Sequence, residues 1–96
     1  MINNNYQNIV AQILIDIESV KFSFKDPFTL TSGLKSPVYI DCRKIISYIK
    51  ERNEILKISI EYFKNYNIDF DILAGGETAG IPYASFFSQI NQKPMI

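Results

Sequence analysis

At 96 residues, with 47% hydrophobic and 21% charged side chains, the chain has the composition of a soluble globular domain and room for one domain at most, burying roughly 65% of its unfolded surface. Ten basic and ten acidic residues cancel, which removes the broad positive field of a protein that lives on nucleic acid or an anionic membrane. One cysteine and no histidine exclude an internal disulfide, a Cys-His or Ser-His pair and a His-bearing metal cluster.

The asparagine-rich start, Met1 to Gln7, lacks the basic-then-apolar pattern of a secretory signal. No apolar run approaches the ~20 residues of a membrane span, so a cytoplasmic location is expected. Ile9, Ile13 and Ile17, with Val10 and Leu14 beside them, predict an amphipathic helix over about 5 to 19. The period then changes: Val20, Phe22 and Phe24 alternate with Lys21, Ser23 and Lys25 before Asp26-Pro27 breaks the run, which predicts a short extended segment and a turn. Phe28 to Thr31 and Val38 to Asp41 read as two strands of a hairpin joined by Ser32 to Pro37. Gly33 supplies a positive φ there, and Pro37 forces Ser36 to be extended. A connector through Ile45, Ile46 and Tyr48 leads to a second helix over about 50 to 65, with Asn67 placed to cap it. Phe70 to Ala74 is an apolar run suited to a buried parallel strand, followed by Gly75-Gly76-Glu77-Thr78-Ala79-Gly80 and a third helix to about Ile90. Pro94-Met95-Ile96 begins another strand, so the fold class is α/β with an unfinished parallel sheet.

The four glycines fall in two places, Gly33 in the hairpin and Gly75, Gly76 and Gly80 in the strand-to-helix loop. Such a loop aims backbone amides and the positive end of a helix dipole at whatever lies above the sheet, and phosphate is the usual guest. The spacing is neither the GxGxxG fingerprint nor a P-loop. An ordinary tight turn is the other reading, and from residue types alone the commoner one. Glu77 opposes an anion unless its carboxylate turns away or meets a magnesium ion shared with the phosphate. The hairpin offers Thr29, Thr31, Ser32, Lys35 and Ser36 as hydrogen-bonding groups and Tyr39 as an aromatic surface; a solvated turn is again the plainer alternative. Cys42 reads as a bystander thiol, Arg43 and Lys44 as structural cations or contributors to the site through salt bridges, and Asp69 and Asp71 as solvated strand-end charges. Tyr83, Phe86, Phe87 and Ile90 form a helical stripe facing a core.

Phe28 to Tyr48, FTLTSGLKSPVYIDCRKIISY, resembles the orotate-site hairpin of orotate phosphoribosyltransferases, and Asp69 to Pro82, DFDILAGGETAGIP, resembles that family's first phosphate loop. The resemblance runs from about Val20 to Ile96. It implies a type I phosphoribosyltransferase-like fold, with residues 1–48 as a helix and hairpin hood and residues 49–96 as the start of the α/β core of one truncated domain. It also implies a glycosyltransferase of pyrimidine (UMP) biosynthesis, which joins orotate to the ribose 5-phosphate of phosphoribosyl pyrophosphate and releases pyrophosphate. By the same resemblance Thr31, Ser32, Gly33 and Lys35 line the orotate side, Tyr39 and Ile40 pack near the base, and Thr78, Ala79 and Gly80 face pyrophosphate. Some family members carry a lysine where Thr31 or Ala79 stands.

Magnesium is implied as well, though its ligands are mostly absent from this chain, in which no catalytic or metal-ligating residue is assigned. The family's basic loop and its paired-acid and Thr/Gly motif for the 5-phosphate lie past the position of Ile96, so no turnover is expected from the 96 residues alone. A homodimer or other self-association, or a separate C-terminal chain, is the expected partner, with neither nucleic acid nor membrane. The competing reading is a non-catalytic remnant or interaction module of the same ancestry.

Overall fold

The structure, a computed structural model, describes residues 5–96; residues 1–4 of the asparagine-rich start lie outside the described residues. Helix α1 (Asn5–Asp16) forms where the isoleucine spacing predicts it and stops short of residue 19. Its inner face supplies Ile13 and the turn after it supplies Ile17, which bury with Ile45 beneath Ile9, Leu14, Ile55 and Tyr83. The helix closes through Glu18, held at φ 58°. The Glu18 amide donates to the Ile15 carbonyl at 3.0 Å and the Ser19 amide to that of Leu14 at 2.8 Å. These two bonds satisfy carbonyls that a helix end leaves open and turn the chain into a strand.

The expected hairpin is present with a different pairing. Strand β1 (Val20–Phe22) runs antiparallel to β4 (Val38–Ile40), with Val20 opposite Ile40 and Phe22 opposite Val38. Inside that ribbon β2 (Phe28–Thr29) pairs with β3 (Lys35–Ser36). Phe28 therefore faces Ser36, not the Val38 to Asp41 run. Proline is the cause: Pro37 has no N–H for a ladder and divides the returning strand. At the break the Ser36 hydroxyl donates to the Val38 carbonyl at 2.7 Å and accepts the Val38 amide at 3.1 Å. Gly33 makes the tip at φ 88°, in the left-handed region that the turn requires.

Asp41 begins a 3-10 helix, Cys42–Ser47, and caps it by accepting the Arg43 amide. Helix α2 (Ile49–Asn65) packs on α1, where the Tyr6 hydroxyl donates to Glu61 at 3.2 Å and accepts from Asn65 at 2.9 Å. It ends at Asn65 with Tyr66 as the C-cap residue, and Asn67, the cap expected from the sequence, takes the left-handed conformation at φ 52° one position further on. Helix α3 (Gly80–Asn91) packs on α2 through Arg52, whose guanidinium lies 4.3 Å from the Phe86 ring centre and donates to the Ile46 carbonyl at 2.6 Å.

Between α2 and α3 the expected strand is reduced to a single parallel bridge from Leu73 to Met95. The Leu73 amide donates to the Pro94 carbonyl at 2.9 Å and the Ile96 amide to that of Leu73 at 2.8 Å. With one neighbour instead of two, the run is not buried as a central strand would be: Ile72 is 48% exposed. The class is α/β, a helix and antiparallel ribbon followed by the start of a parallel core. Among the described residues no helix is long and apolar enough to cross a membrane.

Candidate functional site

The chain leaves the Leu73 bridge, passes Gly75 and Gly76, turns through Glu77 to Ala79 and enters α3 at Gly80. Gly75 lies against α3 with no room for a β-carbon, whereas Gly76 faces open space. The Gly80 amide donates to the Gly76 carbonyl at 2.9 Å and the Ile81 amide to that of Thr78 at 3.3 Å, which ties the loop to the helix. Among the described residues no acceptor is paired with the amides of Glu77, Thr78 and Ala79. Ala79, the N-cap residue, has no side chain with which to cap the helix. Donors and helix dipole at this end thus remain available to an anion.

Facing the loop is a cleft of about 510 Å³, walled on one side by Tyr39 to Arg43 and on the other by Ala79, Gly80 and Tyr83. Four residues singled out from the sequence, Tyr39, Ile40, Ala79 and Gly80, meet here although some 40 positions separate the two pairs. The ribbon places the first pair on β4, and the glycine loop places the second at the start of α3. Thr31, Ser32, Gly33 and Lys35 stand on the exposed ribbon tip outside the cleft lining, and Thr78 is exposed in the turn beside it. The Tyr39 ring is braced by Phe28, centre to centre 5.8 Å.

Two lining residues carry more of the site than their sequence context suggested. Arg43 binds Asp41 through Nε to Oδ1 at 2.9 Å. The Arg43 side chain, chiefly by its hydrogen bond, holds the Asp41 carboxyl below the usual range, and Asp41 in turn raises Arg43. Tyr83 donates its hydroxyl to the Cys42 carbonyl, joining α3 to the segment after β4. Burial, then the neighbouring Cys42 and Asp41, push the Tyr83 hydroxyl up. The signal for Arg43 was its place three residues beyond Ile40; for Tyr83 it was the i+3 step from Gly80, which puts both on one side of the helix. Lys44 instead reaches back to the Glu18 carbonyl at 3.2 Å and serves the fold. Cys42 is an exposed free thiol.

Among the described residues no three His, Cys, Asp or Glu side chains gather closely enough to hold a metal ion. Asp41, the acid of the cleft lining, is already engaged by Arg43. The residues present do not fit a resident magnesium.

The chain is 44% identical over 89 residues to an orotate phosphoribosyltransferase of Roseobacter denitrificans, covering 91% of this chain and 40% of the relative. It is 44% identical over 90 residues to that of Rhizobium rhizogenes, covering 92% and 39%. Among solved structures, orotate phosphoribosyltransferase from Aeropyrum pernix superposes with a TM-score of 0.71 at 26% identity, covering 90% of this chain and 50% of that one. Leishmania donovani UMP synthase gives 0.72 at 32% identity, covering 97% and 19%. No family model matches. The chain spans about two-fifths of the length of these curated relatives.

Proposed function

Because this chain is homologous to the N-terminal part of the orotate phosphoribosyltransferases, we propose that its cleft binds orotate on the β4 side and pyrophosphate, free or as part of phosphoribosyl pyrophosphate, on the α3 side. The observation that carries this reading is the convergence of Tyr39 and Ile40 with Ala79 and Gly80 in one cleft, beneath a loop with unpaired amides. In it, the amides of Thr78 and Ala79, with Gly80 beside them, hold the diphosphate, and Tyr39 and Ile40 give the base a flat wall. Thr31, Ser32, Gly33 and Lys35 reach the base by folding of the ribbon tip over the cleft. Transfer of a ribose passes through a cationic transition state beside a polyanionic leaving group, so it depends on positioned charge more than on a nucleophile. The residues of this cleft supply part of that charge.

Calorimetric titration of the 96-residue chain with orotate and with inorganic pyrophosphate tests the reading. Saturable binding of both is expected. A chain that binds neither ligand supports the second reading, an interaction module. That reading draws on the half-exposed Ile72 and the single-bridge strand at Leu73, whose open side can accept another strand.

A further inference from the structure

We infer that Arg43 reads the carboxylate that distinguishes orotate from an uncharged pyrimidine, with Asp41 as the residue that positions it; this rests on the assignment of the cleft to orotate and pyrophosphate. Arg43 is the one cation among the described residues that line the cleft. Lys35, the cation of the ribbon tip, lies outside the lining. The guanidinium also lies beside the Tyr39 hydroxyl, on the wall assigned to the base and not on the glycine-loop wall.

The side chain is 64% exposed yet not free to wander. Asp41 takes its Nε at 2.9 Å and its Nη2 at 3.4 Å, and the same carboxylate accepts the Arg43 backbone amide at 3.1 Å. Asp41 is itself anchored, its amide donating to the Ser19 carbonyl at 2.8 Å. An exposed ion pair of this kind adds little to stability. What it does is fix the orientation of a planar fork. With the Nε edge engaged by Asp41, the Nη1 protons and the outer Nη2 proton are left to the Tyr39 hydroxyl beside them and to a ligand. A carboxylate coplanar with a flat ring resting on Tyr39 offers two oxygens to those protons, a match a point-charge ammonium does not make. Asp41 also lowers the net attraction, which keeps the expected gain near the low end for a charge-assisted contact, about tenfold in affinity.

The experiment titrates the wild-type chain and Arg43→Gln, Arg43→Lys and Asp41→Asn with orotate, uracil and inorganic pyrophosphate at low ionic strength, with far-UV circular dichroism to confirm the fold. Uracil presents the same ring without the carboxylate. Arg43→Gln should lower orotate affinity about tenfold while uracil and pyrophosphate stay within about twofold, so the preference for orotate collapses. Arg43→Lys should restore part of it. Asp41→Asn keeps the backbone cap and should lower the orotate-to-uracil ratio without touching pyrophosphate; an unchanged ratio denies Asp41 its positioning role. An Arg43→Gln chain that keeps the orotate preference, or that loses pyrophosphate affinity alone, overturns the inference while leaving the cleft assignment standing. A wild-type chain that binds no orotate overturns that assignment and the inference with it.

Discussion

A β-carbon placed on Gly75 would lie 2.9 Å from the β-carbon of Ala84 and 2.7 Å from the Gly80 carbonyl oxygen. Strand end and helix touch there, backbone against backbone, and Ala84 is among the buried core residues of the described chain. Gly75→Ala should therefore cost about 1–3 kcal/mol, the usual penalty for overfilling a packed contact. Gly76 has nothing within 4 Å of its own β-carbon position, so Gly76→Ala should stay within about 0.5 kcal/mol of wild type. Urea denaturation of the two variants separates them; equal losses would contradict the close approach of strand and helix.

Among the described residues, none of the helices α1, α2 and α3 has a glycine at its C-terminus. Glu18, Asn67 and Gln92 take the left-handed conformation at φ 58°, 52° and 55°. Asparagine tolerates it, but a glutamate with no special local partner does not. Glu18→Gly should raise stability by about 0.5–1 kcal/mol, read as a rise in the denaturation midpoint at unchanged slope. A fall in midpoint would mean that the Glu18 side chain contributes more than its backbone angle costs.

The pattern of Ile9, Ile13 and Ile17, the rows of α2 and the left-handed turn at Asn67, one residue past the Tyr66 cap, were legible because local periodicity and backbone preference decide them. The pairing of the ribbon was not. Val20 to Phe22 and Phe28 to Thr29 are equally strand-like, and whether Val38 to Ile40 joins one or the other depends on how Ser36 and Pro37 bend the chain, a matter of three-dimensional closure. The strand over Phe70 to Ala74 reads as buried because its residues suit a central position; its single bridge reflects how few neighbours it has here. In the cleft, Tyr39, Ile40, Ala79 and Gly80 were picked out by motif and gathered by the fold. Arg43 reads either as a structural cation or as a contributor to the site through salt bridges, and Tyr83 reads as core, since an arginine beside an aspartate and a tyrosine in a helical stripe each have a sufficient local explanation.

Tyr83 joins α3 to Cys42 by its hydroxyl, and Tyr83→Phe should cost about 1 kcal/mol at neutral pH. The cost should depend on pH in a definite direction. Burial first, then Cys42 and Asp41, raise the hydroxyl above its ordinary 10.0 in the folded chain. The proton is thus held more tightly when folded, so its contribution is complete below pH 10.0 and fades as pH climbs through the higher folded value. Thermal melts at pH 8 and at about pH 11 should show the gap between wild type and Tyr83→Phe closing. A gap that widens in alkali would show the hydroxyl to be bound as its anion.

Ser19 is fully buried, and its hydroxyl has no hydrogen-bond partner among the described residues. Its backbone is fully used: the amide closes α1 on Leu14 and the carbonyl accepts the Asp41 amide at 2.8 Å, which seats the residue that in turn holds Arg43. Side chain and main chain are therefore separable. A buried hydroxyl left unpaired sacrifices its hydration for nothing, whereas alanine keeps the backbone bonds and loses only that burden. Ser19→Ala should stabilise the chain by about 1 kcal/mol and leave orotate affinity unchanged, since Asp41 remains anchored by the same carbonyl. Calorimetric unfolding and titration on one preparation test both halves. A destabilised variant would reveal that the hydroxyl has a partner in solution, and a variant of normal stability with weakened orotate binding would show that the Ser19 side chain, not its carbonyl, sets the Asp41–Arg43 pair.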